Sequence, residues 1–511
     1  MKTNLMLVKS TLLASLCLCL ALSTAWAGSA ENTTTEKAPV SLTIAHLNDI
    51  YEIQPIEGGK YGGPARVATI IAGLKQKASP LLVTLGGDYL SPSALGTAKI
   101  DGQPLAGRQM VDVLNAIGLD WATLGNHEFD VSEESFRAHL NQAQFRVIAT
   151  NVSDAQGKPF PGTVPSAIVP VTSGKRTLRI GLLGVTVPSN PKSWVRFRDP
   201  IEAAKEEIGR MQGKTDAIIA LTHLNLAQDA NFVTAIPEVD LVLGDHEHEN
   251  WQLQRGPGFT PIIKADANVR SLAIVTLNFH EPGQKPSIST TIQLIDESIP
   301  SDPEVAALAD RWTQLGLAAF RQDGFIPEAV VAVTDETLDG REMTVRNRPG
   351  KLTDLVAQAM FHEGQPCDVA LFNAGSIRID DVLPAGPLSQ YDIIRLLPFG
   401  GKVNKARLDG ALLVRVLEAG ANNQGLGGYL HSKGAQLENG VWQISGQDIE
   451  PDKRYTVILP EFLLSGREVN LGFLSKGNPQ MHEIQVLRDI RYIVIDELKK
   501  TFPPNQEQSK E

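Results

Sequence analysis

The chain has few cysteines and no long apolar run, and both shortages limit what it can be. Only three of its 511 residues are cysteine. Cys17 and Cys19 lie in an N-terminal segment that reads as a cleavable signal, which leaves Cys367 without a partner for an internal disulfide. The apolar stretch Leu12–Leu22 is too short for a comfortable membrane span. The pattern therefore favours neither a disulfide scaffold nor a membrane-spanning protein.

The first 27 residues have the parts of a secretory signal. Lys2 and Lys9 give a positive start, an apolar stretch follows, and residues 25–27 read Ala-Trp-Ala, a small-x-small cleavage site. No pair of arginines precedes the apolar stretch. We therefore expect an exported protein, periplasmic or secreted, with no membrane anchor after cleavage.

Positive charge is also scarce. Lysine and arginine number 47 against 58 acidic residues, and the formal net charge is −11. A nucleic-acid polymer is not expected as a partner, because its phosphates are bound by strongly basic surfaces. An anionic substrate must then be small and held by local cations. Nothing in the sequence indicates an oligomer, and a monomer is the expected state.

The chain does contain a regular alternation of apolar runs and helical stretches, from residue 41 to about 295. Crossover helices are predicted at Gly63–Lys77, Gly107–Ile117 and Pro200–Met211, and Leu178–Val185 predicts a buried strand. Strands that alternate with helices indicate an α/β domain with a largely parallel or mixed sheet.

A second α/β half follows a predicted linker helix. Ser301 stands three residues before Glu304, with proline between them, which predicts a helix start capped by Ser301. In the second half, strands are predicted at Asp368–Phe372 and Tyr455–Leu459, and a helix at Asp409–Ala419. The predicted organisation is a signal (1–27), a first domain (41–298), a linker helix (299–326), a second domain (327–500) and a polar tail (501–511).

Five apolar runs of the first domain are followed by residues that ligate metals. These residues are Asp49, Asp88, Asn126, His223, His246 and His248. Open α/β sheets bind ligands at one edge, beyond the carboxyl ends of their strands, and we expect the six side chains to converge there. Oxygen and imidazole ligands without thiolates suit Zn, Mn or Co. With one bridging carboxylate the set suffices for two ions, which lie ~3.5–4 Å apart in such sites.

A possible catalytic pair lies beside Asn126. His127 offers a titratable ring, and Asp130, three residues on, can hold that ring. Two metal ions can lower the pKa of a bridging water and hold the oxygens of a phosphoryl group. His127 would then neutralise charge on the transferring group or protonate the leaving oxygen. A histidine taken singly is often structural, but the joint occurrence of these residues favours a hydrolytic two-metal site.

These motifs resemble, in the same order, those of the calcineurin-like metallophosphoesterases. They are Asn48-Asp49, Gly86-Gly87-Asp88, Gly125-Asn126-His127-Glu128, Thr222-His223 and Gly244-Asp245-His246-Glu247-His248. More narrowly, residues 41–498 resemble the secreted bacterial 5′-nucleotidase and UDP-sugar hydrolase family. In the second half the resemblance rests on residues 338–341, 345–346, 373–378 and 397–401. It implies an N-terminal metallophosphoesterase sandwich, a C-terminal α/β substrate domain and hydrolysis of nucleotides.

The resemblance also implies how a nucleotide is held. In the family, arginines of the C-terminal domain grip phosphate and two phenylalanines stack the base, roles that carry to Asn373, Arg378 and Arg346 and to Phe399 and Phe462. Guanidinium groups suit phosphate and aromatic faces suit a purine. Without the family, the arginines could be solvated surface and the phenylalanines core. The family further implies that the C-terminal domain rotates to admit substrate.

Two departures from the family pattern concern the metal and the nucleoside. The family motif Asp-x-His reads Asp49-Ile50-Tyr51 here. A phenolic oxygen ligates metal in the purple acid phosphatases, where it favours ferric iron, so Tyr51 is a candidate ligand and iron a further candidate metal. Glu468 stands where the family places an aspartate near the nucleoside, and Arg467 replaces a glycine.

Several alternative functions stay open. Within the reaction class, the substrate could be a 2′,3′-cyclic phosphodiester or a UDP-sugar. Within the fold, a thiosulfohydrolase-like enzyme is possible, although the two phenylalanines and the lack of a twin-arginine signal argue against it. The chain could also be an inactive nucleotide-binding protein that lost activity through Tyr51, but Asn126, His127 and Asp130 are intact.

Overall fold

The computed structural model describes residues 40–77 and 79–504. The predicted signal and the segment up to residue 39 lie outside the described residues, as do residues 505–511 of the predicted tail. Among the helices described, none combines the length and apolar character needed to cross a membrane. The described chain has a two-domain α/β architecture.

The first domain is a sandwich of two mixed sheets. In spatial order, the strands of the larger sheet are Ser287–Leu294, Ser271–Phe279, Val40–Leu47, Leu81–Leu85, Trp121–Thr123, Arg146–Ile148 and Thr163–Val164. Those of the smaller sheet are Trp251–Arg255, Thr260–Lys264, Leu241–Gly244, Ala217–His223, Arg176–Thr186 and Ser166–Ser173. Ile44, Leu182 and Leu221 belong to one buried apolar cluster drawn from both sheets. Burial of these inner faces from water holds the sheets together.

The prediction that the ligand-bearing strands form one open sheet is wrong. The strands that precede Asp49, Asp88 and Asn126 lie in the larger sheet, and those that precede His223 and His246 lie in the smaller one. Within each set the strands run parallel, so their carboxyl ends meet at one edge of the sandwich. Hydrophobic runs show that strands exist but do not show which strands pair.

The three predicted crossover helices are confirmed, at Pro64–Lys75, Arg108–Ile117 and Pro200–Met211. The helix Pro200–Met211 begins where the sequence predicts. The Asp199 carboxylate accepts the N–H of Glu202, and Pro200, which has no N–H, occupies the first helical position, where an N–H would have no partner within the helix. Further first-domain helices are Ala94–Thr97, Glu133–Gln142 and Leu226–Ala235, with short 3-10 turns at His127–Phe129 and Ala267–Val269. Two strand pairs complete the domain: Val152–Asp154 with Val195–Phe197, and Lys99–Ile100 with Gln103–Pro104.

A helix at Pro303–Gln322 separates the two domains in the sequence. The Asp302 carboxylate accepts the N–H groups of Glu304 and Val305, so Asp302, not the predicted Ser301, is the N-cap. A carboxylate at this position also interacts favourably with the positive end of the helix dipole. The helix packs on three helices of the first domain, Pro64–Lys75, Ala94–Thr97 and Arg108–Ile117. The helix is therefore attached firmly to that domain.

The second domain is built on a five-stranded mixed sheet. Its strands in spatial order are Leu430–Lys433, Val369–Asn373, Arg454–Pro460, Lys402–Asp409 and Met481–Asp489. Its helices are Glu342–Val345, Lys351–Glu363, Gln390–Leu396, Gly410–Asn422 and Ile490–Thr501, with 3-10 turns at Ala374–Ser376 and Glu461–Leu464. Smaller sheets join Val330–Thr334 with Gly386–Ser389, Leu338–Asp339 with Val382–Leu383, and Ala435–Glu438, Val441–Ile444 and Gln447–Asp448 with one another. The strands and the helix predicted here are confirmed within a few residues.

Candidate active site and metal centre

The loops at the edge of the sandwich bring the predicted ligands together. Possible ligand atoms of Asp49, Asp88 and His223 lie within 4.8 Å of one another. His223 Nε2 is 3.1 Å from Asp88 Oδ2 and 3.3 Å from Nδ1 of His246. His248 Nε2 is 3.9 Å from Asp49 Oδ1. The two sheets therefore present one cluster of oxygen and imidazole groups.

Asn126 adds an unsatisfied oxygen to this edge. Its Oδ1 is buried and has no hydrogen-bond partner in the described structure. A buried carbonyl oxygen without a partner is destabilising by about 1–3 kcal/mol, and a divalent cation would supply the missing contact. Asn126 therefore fits the predicted role of a metal ligand.

The charges of the cluster also fit metal ions. Burial raises the pKa of Asp49 well above its usual value, although His223 and His248 act to lower it. Burial has the same effect on Asp88, but His223 and His127 outweigh it and hold the pKa of Asp88 below its usual value. Burial lowers the pKa of His223, yet Asp88 and Asp49 raise it to about 10. Buried carboxylates need positive charge nearby, and divalent ions held by these residues would supply it.

Backbone strain marks the same loops. Asp88 and His246 adopt left-handed backbone conformations, with φ of 52° and 81°. Such conformations of residues other than glycine cost about 1–3 kcal/mol and cluster at functional sites. A Cβ at Gly125 would lie 2.1 Å from Oδ1 of Asp88, so only glycine allows the two loops to approach so closely.

Glu128 holds these loops together, a role that no sequence pattern predicted. Its buried carboxylate accepts the backbone N–H groups of Asp88, Tyr89, Leu90 and Gly125 at 2.5–3.1 Å. Burial raises the pKa of Glu128 to about 7, against these hydrogen bonds. The sequence signal for this role was an acidic residue within a ligand-bearing loop. The sequence does not show which backbone groups Glu128 binds, because they lie as far as 40 residues away.

His127 and Asp130 meet as their spacing predicts. His127 Nδ1 lies 2.6 Å from Asp130 Oδ2, and the Asn190 amide donates to Asp130 Oδ1 at 2.6 Å. The backbone N–H of His127 donates to Asp88 Oδ1 at 2.7 Å. Because Asp130 engages Nδ1, Nε2 is the ring nitrogen left to face a substrate.

The Tyr51 side chain is buried among the predicted metal ligands Asp49, Asp88 and His248. Its hydroxyl donates to Asp49 Oδ1 at 3.1 Å and lies 3.4 Å from Asp88 Oδ2 and 3.2 Å from His248 Nε2. Burial, together with Asp49 and Asp88, raises the pKa of Tyr51 well above its usual value. The phenol therefore keeps its proton unless a cation displaces it. This position allows Tyr51 either to ligate an ion or to hold Asp49 for it.

Both predicted phosphate-binding arginines lie near one carboxylate, Glu342. Arg346 forms an ion pair with Glu342, and Arg378 Nη1 is 4.0 Å from the same carboxylate. Arg378 Nε is buried without a hydrogen-bond partner among the described residues. Burial raises the pKa of Asp130, but His127 and then Arg378 act in the opposite direction, and the net shift is downward. Arg378 of the second domain therefore acts electrostatically on the Asp130 carboxylate of the first.

The two phenylalanines are not core residues. Phe399 is 53% exposed and Phe462 is 46% exposed. Phe399 lines a cavity of about 270 Å³ together with Asp130 and Ser91, so this second-domain residue borders the same cavity as one member of the His127–Asp130 pair. Elsewhere in the second domain, Asn373 Nδ2 donates to Oε2 of Glu468 at 2.7 Å, which places these two predicted substrate residues side by side.

The fold and the site define a metal-dependent phosphoric ester hydrolase. A family model described as calcineurin-like phosphoesterase matches residues 42–250, and one described as the C-terminal domain of 5′-nucleotidase matches residues 330–473. Together they cover more than half of the chain. The chain belongs to the 5′-nucleotidase family of calcineurin-like phosphoesterases.

Comparison with individual proteins agrees with this family. A 5′-nucleotidase of Bos taurus is 25% identical over 535 residues, covering 91% of this chain and 90% of the bovine protein. The structure of a 5′-nucleotidase precursor from Thermus thermophilus superposes with a TM-score of 0.76 at 21% identity, over 90% of this chain and 96% of that one. The sulfate thiohydrolase SoxB of the same organism gives a TM-score of 0.66 at 17% identity, over 91% and 94%. At such identities the structural likenesses concern the fold alone.

Proposed function

We propose that the protein is an exported two-metal enzyme that removes phosphate from nucleotides. The observation that carries the proposal is the convergence of the predicted ligands beside the His127–Asp130 pair, with the exposed ring of Phe399 across the adjoining cavity. In this proposal residues 41–298 supply the metal centre, residues 327–500 supply the substrate site, and the helix within residues 299–326 links them. The predicted signal supports export.

The metal ligands divide into two groups around Asp88. Asp49, His248 and Tyr51 would share one ion, the first metal, with Asp88, and Asn126, His223 and His246 would share the other. Zn, Mn or Co suits this set, and iron becomes a candidate if Tyr51 ligates. When bound, two such ions activate water for attack and neutralise charge on the phosphoryl group.

The chain's own residues complete the chemistry. Asp130 accepts the Nδ1–H of His127 and so fixes the ring, which leaves Nε2 to deliver a proton to the leaving oxygen or to stabilise charge on the phosphate. Asn190 holds the second oxygen of Asp130, so the pair cannot rotate freely. Arg378 acts to lower the pKa of the same carboxylate and would bind the phosphate from the second domain.

The nucleoside would be bound by the second domain. Phe399 and Phe462 are exposed enough to stack on a base, and Asn373 with Glu468 offers hydrogen bonds to the nucleoside. Neither domain alone carries both the metal ligands and these groups. The active site would therefore form between the domains, and rotation of the second domain would admit substrate and release product.

Removal of the aromatic rings should separate nucleotides from simple esters. We expect Phe399→Ala and Phe462→Ala to weaken hydrolysis of AMP while sparing p-nitrophenyl phosphate, because only the nucleotide has a base to stack. Stacking is worth ~1–3 kcal/mol per base. The measurement is kcat/KM on both substrates, with Phe259→Ala as control, since Phe259 is 72% exposed in a first-domain loop. Equal losses on both substrates would remove the support for a nucleotide.

Tyr51 gives a prediction about the metals. Tyr51→His should tighten binding of Zn²⁺ or Mn²⁺ at one of the two sites, because an imidazole is a better ligand for these ions than a protonated phenol. Tyr51→Phe, which keeps the ring and removes only the hydroxyl, is the matched control and should not tighten it. Titration of the metal-stripped proteins measures both affinities. If Tyr51→His bound metal no more tightly than wild type, Tyr51 would not be the weak position of this metal site.

A phosphodiester is the second candidate substrate, and Glu342 is the observation that favours it. The carboxylate pairs with Arg346 and lies near Arg378, which reduces the positive charge available to a dianionic phosphomonoester. A diester carries one negative charge and needs less compensation.

A substrate screen decides among the candidates. Purified mature protein would be offered nucleotides, UDP-sugars and cyclic nucleotides with metals supplied one at a time. We expect fastest phosphate release from 5′-mononucleotides. Preference for 2′,3′-cyclic nucleotides or UDP-sugars would identify the alternative substrate. Tight nucleotide binding without hydrolysis under any metal would instead indicate an inactive binding protein.

A further inference from the structure

Two carboxylates of the second domain lie near the metal centre: Asp380, and Glu342, whose Oε2 is 3.8 Å from Nδ1 of His248. His248, a predicted ligand of the first metal, points Nδ1 at Asp380 Oδ2, 2.8 Å away and 132 residues later in the chain. Both side chains are about one tenth exposed. The other ring nitrogen, Nε2, faces the Tyr51 hydroxyl at 3.2 Å and Asp49 Oδ1 at 3.9 Å. The imidazole therefore lies between a second-domain carboxylate and the metal cluster.

Asp380 is held in place at some energetic cost. Its φ is 39°, a left-handed conformation that non-glycine residues seldom adopt. Its second oxygen, Oδ1, accepts the backbone N–H of Glu342 at 2.8 Å. The next residue, Asp381, accepts the first-domain N–H of Glu57 and pairs with Arg395. Strain that persists because its surroundings fix it is characteristic of functional positions.

We propose that Asp380 is a positioning residue of the metal centre. Its carboxylate accepts the Nδ1–H of His248, which fixes the tautomer and ring orientation and leaves the Nε2 lone pair for the ion. Carboxylates hydrogen-bonded to a ligating histidine orient the ring and raise its basicity, and their loss weakens metal binding by about 10–100-fold. This inference rests on the proposed function, because it takes His248 as a ligand.

The arrangement makes the first metal site depend on both domains. Tyr51 stands where the family has a histidine, so His248 is the only imidazole assigned to that site and its orientation matters more. Asp380 also holds the N–H of Glu342, four residues before Arg346 in the same helical segment. Asp380 would thus orient a metal ligand of the first domain. It would also hold the first residue of the short helix that ends at Arg346, a proposed phosphate ligand.

The test is titration of the metal-stripped full-length protein with Co²⁺. It measures the Co²⁺ affinity of each of the two sites and does not depend on enzyme activity. We expect Asp380→Ala to weaken one of two sites by ~10–100-fold and to leave the other unchanged. Asp380→Asn is a second variant that keeps the size of the side chain and removes its charge. Thermal unfolding of the metal-free proteins shows whether either variant has a folding defect. Asp409→Asn is the matched control: Asp409 also pairs with a histidine, His482, at 3.0 Å in the same domain.

A double variant shows whether Asp380 acts through His248. If it does, Asp380→Ala should have no further effect on Co²⁺ affinity once His248→Ala is present. Wild-type affinity at both sites in Asp380→Ala and Asp380→Asn would overturn the inference and leave the proposed function standing. Additive losses in the double variant would also overturn it. Wild-type protein that bound no Co²⁺ would instead remove the proposed function, and this inference with it.

Discussion

Replacement of His127 by alanine should lower phosphate ester hydrolysis by ~10²–10⁴-fold while the metal content stays near that of wild type. The ring contacts Asp130 through Nδ1 and leaves Nε2 for the substrate. Its link to the metal ligands is the backbone N–H that donates to Asp88 Oδ1. Alanine keeps this N–H, so the substitution removes a transition-state group without disturbing the ligands.

The measurement is single-substrate kinetics combined with metal analysis of the same sample. His280→Ala serves as control, because His280 is an exposed histidine that contacts Ser287 at the edge of the larger sheet. Near-normal turnover by His127→Ala would show that the pair has no catalytic role. Loss of metal along with activity would show that the ring contributes to the metal centre.

Asp88→Asn should have the second large effect, on metal binding and activity together. Oδ2 of Asp88 is 3.1 Å from His223 Nε2 and 3.4 Å from the Tyr51 hydroxyl, so this carboxylate faces both proposed groups of ligands. Asparagine is nearly the same size but removes the negative charge that a bridging ligand shares between two ions. We expect both ions to bind far more weakly and hydrolysis to fall by at least ~10³-fold.

Asp240→Asn tests whether the same change at another, partly buried acidic residue of this sandwich would give the same result. Asp240 precedes the strand Leu241–Gly244, at the opposite end from His246, and accepts the N–H of Ile218. We expect this variant to keep its metal and its activity, with at most a small loss of stability. An Asp88→Asn protein that retained two tightly bound ions would contradict the bridging role.

Local patterns predicted the helices and strands well and indicated candidate ligand residues, because both kinds of signal lie in nearby sequence. The helix Pro200–Met211 is defined by a cap and a proline beside it, and Asp49 and Asp88 come within a few residues of the end of an apolar run. A misplaced cap shows the limit of such patterns. Ser301 and Asp302 are both good caps in sequence, and only the structure shows which side chain reaches the free N–H groups.

Features that depend on distant pairing could not be predicted from single segments. Division of the ligand-bearing strands between two sheets is set by which strands pair. The contact of His248 with Asp380 spans 132 residues and two domains, and Glu128 reaches backbone N–H groups about 40 residues away. Such contacts follow from the assembled fold, and neither spacing nor composition records them.

The most direct test of the account is phosphate release from AMP by the mature protein before and after its metals are removed. Exhaustive chelation should abolish release, and Mn²⁺, Co²⁺ or Zn²⁺ should restore it as the second ion binds, with Phe399→Ala impaired on AMP but not on p-nitrophenyl phosphate. Undiminished AMP hydrolysis by verified metal-free protein would contradict the account. So would a fully loaded protein with two bound ions that releases no phosphate from any ester.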